Sequence, residues 1–189
     1  EIATASGVAT VDNIHQYFLR CGEDDRARNL AHLIEDSGED DVFLVFCERR
    51  TDVDRLMRKL ERRRFSVKAL HGGYDQAARF KVMAAFRTGD VKCLVATDVA
   101  SRGLDVAHVT HVVNLGVPRD VSDYTHRIGR TGRAGRHGVA VTFVAGRDER
   151  GFTELRRASK FDLREIERPR ELFAEERRRA RDAERGEKD

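Results

Sequence analysis

No run of apolar residues in this chain is longer than six. A bilayer crossing by a helix needs roughly 20, so no membrane partner is expected. Cysteine is scarce: Cys21, Cys47 and Cys93 stand far apart, and no Cys-x-x-Cys pair occurs. That spacing speaks against a zinc ribbon, and no metal site is expected. Cys47 and Cys93 fall inside apolar runs and read as small buried hydrophobes. Unpaired thiols of this kind fit a reducing, cytoplasmic setting. The first residues lack the basic-then-apolar pattern of a secretory leader. No repeat recurs at solenoid periods. Excess charge is also small: 36 Lys and Arg against 33 Asp and Glu leave +3. Any binding of nucleic acid must therefore come from the placement of charge and not its total. Arginine far outnumbers lysine, which fits phosphate contacts, a GC-rich genome or a hot habitat equally.

What is present suffices for one domain. The chain has 189 residues, 40% hydrophobic and 37% charged, enough to enclose a sizeable core. Near-continuous apolar runs at 42–46, 93–96, 111–115 and 139–145 have the pattern of strands covered on both faces. A weaker strand is predicted at 66–70 and an edge strand at 14–20. Helical spacing of apolar residues lies between them, over 24–36, 50–63, 75–88, 120–128 and 147–158. Asp75 is placed to cap the third of these and Gly89 to end it, and Gly129 to end the fourth. Alternation of this kind predicts an α/β fold, an open and mainly parallel sheet with helices on both faces. From Pro169 the chain is nearly free of apolar residues after Phe173, and its charges almost cancel. This charged C-terminal tail reads as a solvated single helix or frayed extension without a catalytic role, in preference to a dedicated RNA-binding arm.

Four segments carry chemistry. In YTHRIGRTGRAGR (124–136) glycines at 129, 132 and 135 and arginines at 127, 130, 133 and 136 recur every three residues. Glycine lets the backbone turn and approach a ligand, and arginine offers a planar fork that matches phosphate oxygens. Taken alone, the run also fits a solvated basic loop or an Arg-Gly RNA-binding tract. The apolar strands on either side and the single occurrence weigh against low complexity. In VATDVASRGLD (95–105) an apolar strand runs into Thr97 and Asp98, then a turn with Ser101, Arg102 and Gly103, then Asp105. Ligands of open parallel sheets bind beyond the carboxyl ends of strands. HGGYDQAAR (71–79) sets Gly72, Gly73, Gln76 and Arg79 around a helix start, and VFCERRTDV (45–53) sets Arg49 and Arg50 there. All four segments are expected on one rim. Local evidence also allows ordinary turns, with Asp98 and Ser101 as caps and the arginines as surface charges.

With those residues in hand, the sequence resembles the second, C-terminal RecA-like domain of DEAD-box RNA helicases, in helicase superfamily two. The resemblance covers about residues 13–160. VFCERR is similar to the family's fourth motif, and HGG-x-x-Q-x-x-R with the later F-R-T-G (71–89) to the next conserved block. ATDVASRGLD resembles the fifth motif and HRIGRTGRAGR the sixth. His126 opens the sixth motif where DEAH-type and many DNA helicases have glutamine, which favours RNA. The resemblance implies that Arg130 and Arg133 are arginine fingers for the γ-phosphate of ATP. It implies that Gly103 and Asp105 face the nucleotide, with Asp105 at the ribose, and that His126 and Arg127 couple the site to the other lobe. Arg50, Gly72, Gln76, Arg79 and Thr97 would lie along the RNA sugar-phosphate backbone. The sequence departs from the family pattern at Arg49 (commonly Thr), Gly73 (often Asp) and Gly116 (commonly Asp).

Neither a G-x-x-x-x-G-K-[ST] loop nor an Asp-Glu-Ala-Asp segment occurs. ATP and Mg²⁺ are therefore expected to be held mainly by an N-terminal RecA-like domain outside this chain. Residues 1–12 read as an interdomain linker, 13–165 as the RecA-like domain and 166–189 as the charged extension. The chain is expected to be inactive as an ATPase alone and to act in a full-length helicase that remodels RNA. A DNA-directed translocase and a non-enzymatic RNA- or protein-binding module on the same fold are the competing readings.

Overall fold

The computed structural model describes residues 11–63, 65–104 and 106–187. Seven strands form one sheet: β1 (Ile14–Arg20), β2 (Phe43–Cys47), β3 (Val67–Leu70), β4 (Cys93–Thr97), β5 (His111–Asn114), β6 (Gly138–Val144) and β7 (Leu163–Glu165). Their order is β3-β4-β2-β5-β6-β1-β7, and every pairing is parallel. The helices are α1 (Arg26–Asp36), α2 (Arg50–Leu60), α3 (Gln76–Thr88), α4 (Asp98–Ser101), α5 (Val121–Ile128), α6 (Glu149–Ser159) and α7 (Pro169–Gly186). Every residue of β2, β4, β5 and β6 is buried, as the continuous apolar runs require of strands covered on both sides.

The pleat divides each run between two layers. Phe43, Val45 and Cys47 of β2 pack with Leu30 and Leu33 of α1, Val53 and Leu56 of α2, and Leu172 of α7. The intervening Leu44 and Phe46 pack on the opposite face with Met83 and Phe86 of α3. Tyr124 and Ile128 of α5 and Phe152 and Leu155 of α6 extend that face under β1 and β6. Each such fully buried side chain contributes about 1.5–3 kcal/mol relative to exposure. Asp75 caps α3 by accepting from the Ala78 amide at 2.7 Å, and Gly89 ends it in the left-handed region.

Three features differ from the sequence expectation. Strand β1 is not at the edge, because β7 pairs with its outer side. β7 has only one buried residue, Leu163, followed by exposed Arg164 and Glu165, so it leaves no apolar signature; a short charged strand of this kind protects an edge. The segment after Thr97 is a one-turn helix, α4, where a turn was expected. The tail forms helix α7, and its first turns are docked. Leu172 is fully buried, Phe173 lies 5.7 Å from the His111 ring, and Glu176 accepts a hydrogen bond from the Tyr17 hydroxyl at 2.5 Å. Beyond those turns the helix is exposed and charged.

Candidate functional site

Because the strands are parallel, β2, β3 and β4 all deliver their carboxyl ends to one rim, where segments 48–50, 71–75 and 97–104 begin. The arginine-glycine run departs from this plan. It follows α5 and precedes β6, so it descends along one face instead of crossing the rim. Thr131 donates to the Val109 and Thr110 carbonyls, just before β5 starts. Gly132 has φ +67, and a Cβ there would stand 2.8 Å from Cγ1 of Ile14, the first residue of β1. Only glycine fits both that φ and that gap. The run thus reaches the opposite end of the strands, and side chains rather than topology join it to the 97–104 segment.

Two contacts make that join. Arg127 is buried on α5 and donates from Nε and Nη2 to the two carboxylate oxygens of Asp98, each at 2.7 Å. Its third nitrogen, Nη1, reaches Oδ1 of buried Asn114 at 3.4 Å, and its guanidinium lies 5.3 Å from the Phe46 ring centre. A bidentate arginine–carboxylate pair fixes orientation as well as distance. Asp98 is therefore an ion-pair partner and makes no capping hydrogen bond, while Ser101 does close the turn through the Asp98 carbonyl. The second contact is Arg130, whose Nη1 approaches the Leu104 carbonyl at 3.4 Å.

Above this pair lies an open cleft of about 370 Å³, lined by Phe46, Asp98, Ser101, Arg102, Asp123, His126, Arg127 and Arg130. Burial, then the nearby Arg133 charge, holds the Arg130 pKa below its ordinary value. Among the described residues neither Arg130 nor Arg133 has a carboxylate within ion-pair distance. Two partly buried cations close together without a counter-charge favour an anion between them. The Arg133 Nε braces its own loop by donating to the Gly129 carbonyl at 3.0 Å. Gly103 has φ +72, which lets the loop beside Leu104 turn. His126 is exposed at the last turn of α5. Arg127, foreseen as a link to another lobe, has its guanidinium engaged inside this domain. Asp105 lies outside the described residues, as does most of the 1–12 segment; residues 11–13 form a 3-10 turn.

Of the residues assigned to a nucleic-acid backbone, Arg50 and Gly72 are in contact. A Cβ on Gly72 would stand 2.6 Å from Arg50 Nη2, so the Arg50 guanidinium is laid against the Gly72 backbone. Arg79 reaches the Ala100 carbonyl at 3.4 Å and ties α3 to α4. Thr97 ends β4 with little exposure, and Gln76 opens α3 in full solvent. Gly73 has a local reason too: its amide donates to His71 Nδ1 at 3.0 Å, and a Cβ there would meet the same ring at 2.7 Å. Sequence reasoning missed Asn114 and Phe46, which support Arg127. A single asparagine inside the apolar run HVVNL was the one available signal.

Fold and site define a parallel α/β domain presenting an arginine-bearing loop beside the 97–104 segment. The family model for the helicase conserved C-terminal domain matches residues 25–135. The DEAD-box ATP-dependent RNA helicase CshA of Geobacillus kaustophilus is 41% identical over 160 residues, covering 85% of this chain and 34% of that protein. The structure of E. coli DEAD-box protein SrmB bound to regulator of ribonuclease activity A superposes with a TM-score of 0.76 at 34% identity, covering 81% of this chain and 90% of that one. S. cerevisiae Dbp5 bound to RNA and ADP BeF3 gives 0.78 at 30% identity, with 84% and 42% covered. The chain belongs to the helicase conserved C-terminal domain family, and within it to the DEAD-box helicases, with the RecA-like fold of their C-terminal domains. It spans about a third of the length of the curated relatives it matches.

Proposed function

We propose that this chain is the C-terminal half of an ATP-dependent RNA helicase, supplying one wall of the ATP site and half of the RNA-binding surface. One observation carries the proposal: Arg130, backed by Arg133, stands at the cleft without a carboxylate partner among the described residues. Two guanidinium groups at a glycine-shaped loop, without a carboxylate partner among the described residues, suit the triphosphate of a nucleotide held by a facing lobe. ATP bound there would supply the phosphoryl group that passes to water, and Mg²⁺ would be held mainly by the facing lobe. Arg130 and Arg133 stabilise the charge that develops during that transfer. Gly103 shapes the loop beside them, and Asp105 is assigned to the ribose. Arg127 is a positioning residue: its pair with Asp98 fixes α5, and so the start of the arginine loop, relative to the 97–104 segment. His126, exposed at the end of α5, faces the partner lobe.

The same closure brings Arg50, Gly72, Gln76, Arg79 and Thr97 onto one strand of RNA. Contacts to phosphate and sugar carry no base sequence, so remodelling is general. Holding one strand bent disfavours the duplex and separates it locally. The two arginines release once hydrolysis has removed the anion they hold, and the lobes reopen. This chain alone has one wall of the site and turns over no ATP. RNA exists in single-stranded form in the cytoplasm, where such an enzyme acts. The test is ATP hydrolysis by the complete polypeptide with single-stranded RNA or single-stranded DNA. RNA-specific stimulation is the expected result. Equal stimulation by DNA points to a DNA translocase, and no stimulation by either points to a binding module.

A further inference from the structure

Only two large hydrophobic side chains among the described residues stand far out in solvent: Phe80, 73% exposed, and Val99, 69% exposed. A lone exposed apolar residue needs no explanation. These two flank the segments assigned to RNA. Phe80 lies one turn after Gln76 on the outward stripe of α3, whose inward stripe is Met83 and Phe86. Val99 is in α4, two residues after Thr97. Arg79 ties the two helices together through the Ala100 carbonyl at 3.4 Å. Cations occur on the same segments: Arg79 and Lys81 adjoin Phe80 in the sequence of α3, and exposed Arg102 follows α4. None of these three forms an ion pair among the described residues. An exposed aromatic ring one turn from Gln76, on segments whose cations have no ion-pair partner among the described residues, suits a polyanion that carries flat π-systems.

We propose that the Phe80 ring stacks on a nucleobase of the bound RNA strand, with Val99 closing the apolar side of that contact. The inference rests on the RNA-binding function proposed above and adds a base contact to a surface otherwise made of backbone contacts. Arg79 holds a phosphate while the ring one residue on takes the base, which draws that base out of its neighbours' stack. Every base has a π-face, so the contact is tolerant of sequence. It favours a single strand over a duplex, whose bases are already stacked.

The experiment is binding of a fluorescently labelled single-stranded oligouridine to the complete helicase, by anisotropy, with Phe80→Ala, Phe80→Leu, Phe80→Trp and Arg79→Ala. Stacking on an aromatic side chain corresponds to a roughly tenfold loss on truncation to alanine. Phe80→Ala is expected to weaken binding about tenfold, and Phe80→Leu, which keeps an apolar surface but no ring, to weaken it nearly as much. Phe80→Trp is expected to bind normally. This domain has no tryptophan of its own, and the new indole's emission, read against unsubstituted protein, should be quenched by the RNA. Since the ring is exposed, all three Phe80 variants should melt as the parent does. Unchanged affinity in Phe80→Ala alongside weakened binding in Arg79→Ala overturns the stacking contact and leaves the RNA function standing. Lower ATPase at saturating RNA with unchanged affinity places the ring on the facing lobe and likewise overturns it. Absence of RNA binding in the unsubstituted protein removes both.

Discussion

Asp98→Ala tests the junction that holds the arginine run to the sheet. The two partners differ in exposure: the Arg127 side chain is 7% exposed and that of Asp98 39%. Removing the carboxylate leaves a buried guanidinium with one long contact to Asn114 and the Phe46 ring as its remaining company. Breaking a fully buried pair from one side costs about 3–5 kcal/mol. Water entering where Asp98 stood moderates this, so the lower end, about 3 kcal/mol, is the expected loss. For a domain of this size that lowers the melting temperature by roughly 6–12 °C. Arg127→Met leaves Asp98 free to rehydrate and keeps most of the packing volume, so its cost is smaller, about 1–2 kcal/mol. The double variant is expected to be no less stable than Asp98→Ala, because the stranded charge is gone. Urea unfolding followed by circular dichroism reads all three, with slopes unchanged if only stability moves. A loss under about 0.5 kcal/mol for Asp98→Ala, or additive costs in the double variant, would refute the reasoning.

Two further outcomes follow from the packing. Leu172 fixes helix α7 to the core with no exposure, so Leu172→Ala should cost about 2–5 kcal/mol in the same unfolding assay; a loss below about 1 kcal/mol would mean that the tail is not part of the folded unit. His111 is buried against Phe43, with its rings 4.8 Å apart, and burial pushes its pKa below the ordinary value against a weaker opposing pull from Asp41. The unfolded chain therefore binds a proton near pH 6.5 that the folded chain refuses, and stability should fall as pH drops below that value, by at most about 1.4 kcal/mol per pH unit. His111→Phe should flatten this slope between pH 7 and 5, and an unchanged slope would remove His111 as its source.

Much of the fold was legible because its central strands are apolar throughout. VFLVF, CLVA and VAVTFVA have the pattern of strands covered twice, and β2, β4 and β6 are buried throughout. The Asp75 cap and Gly89 stop are local chemistry, readable within a few residues. Strand β7 escaped notice because one buried leucine cannot make a pattern. Helix α7 read as solvent-borne because only its first turns touch the core, and its Glu176 anchor depends on Tyr17 and His15, distant in sequence. Within the site, residue types and spacing singled out Arg127 and Arg130 as candidates, but not that Arg127 is tied to Asp98, 29 positions away. The helix predicted over 120–128 and the strand predicted at 139–145 already set the arginine run between helix and strand, yet all four segments were expected on one rim; the run instead descends from α5 to β6.

The central claim is that Arg130 completes a nucleotide site formed with a second lobe. Its most direct test is RNA-stimulated kcat of the complete helicase carrying Arg130→Ala, measured beside the melting temperature. Removal of an arginine finger should lower kcat by roughly 10³-fold or more while the partly exposed residue leaves melting unchanged. Turnover within a few fold of the parent, in a protein that melts normally, would contradict the account.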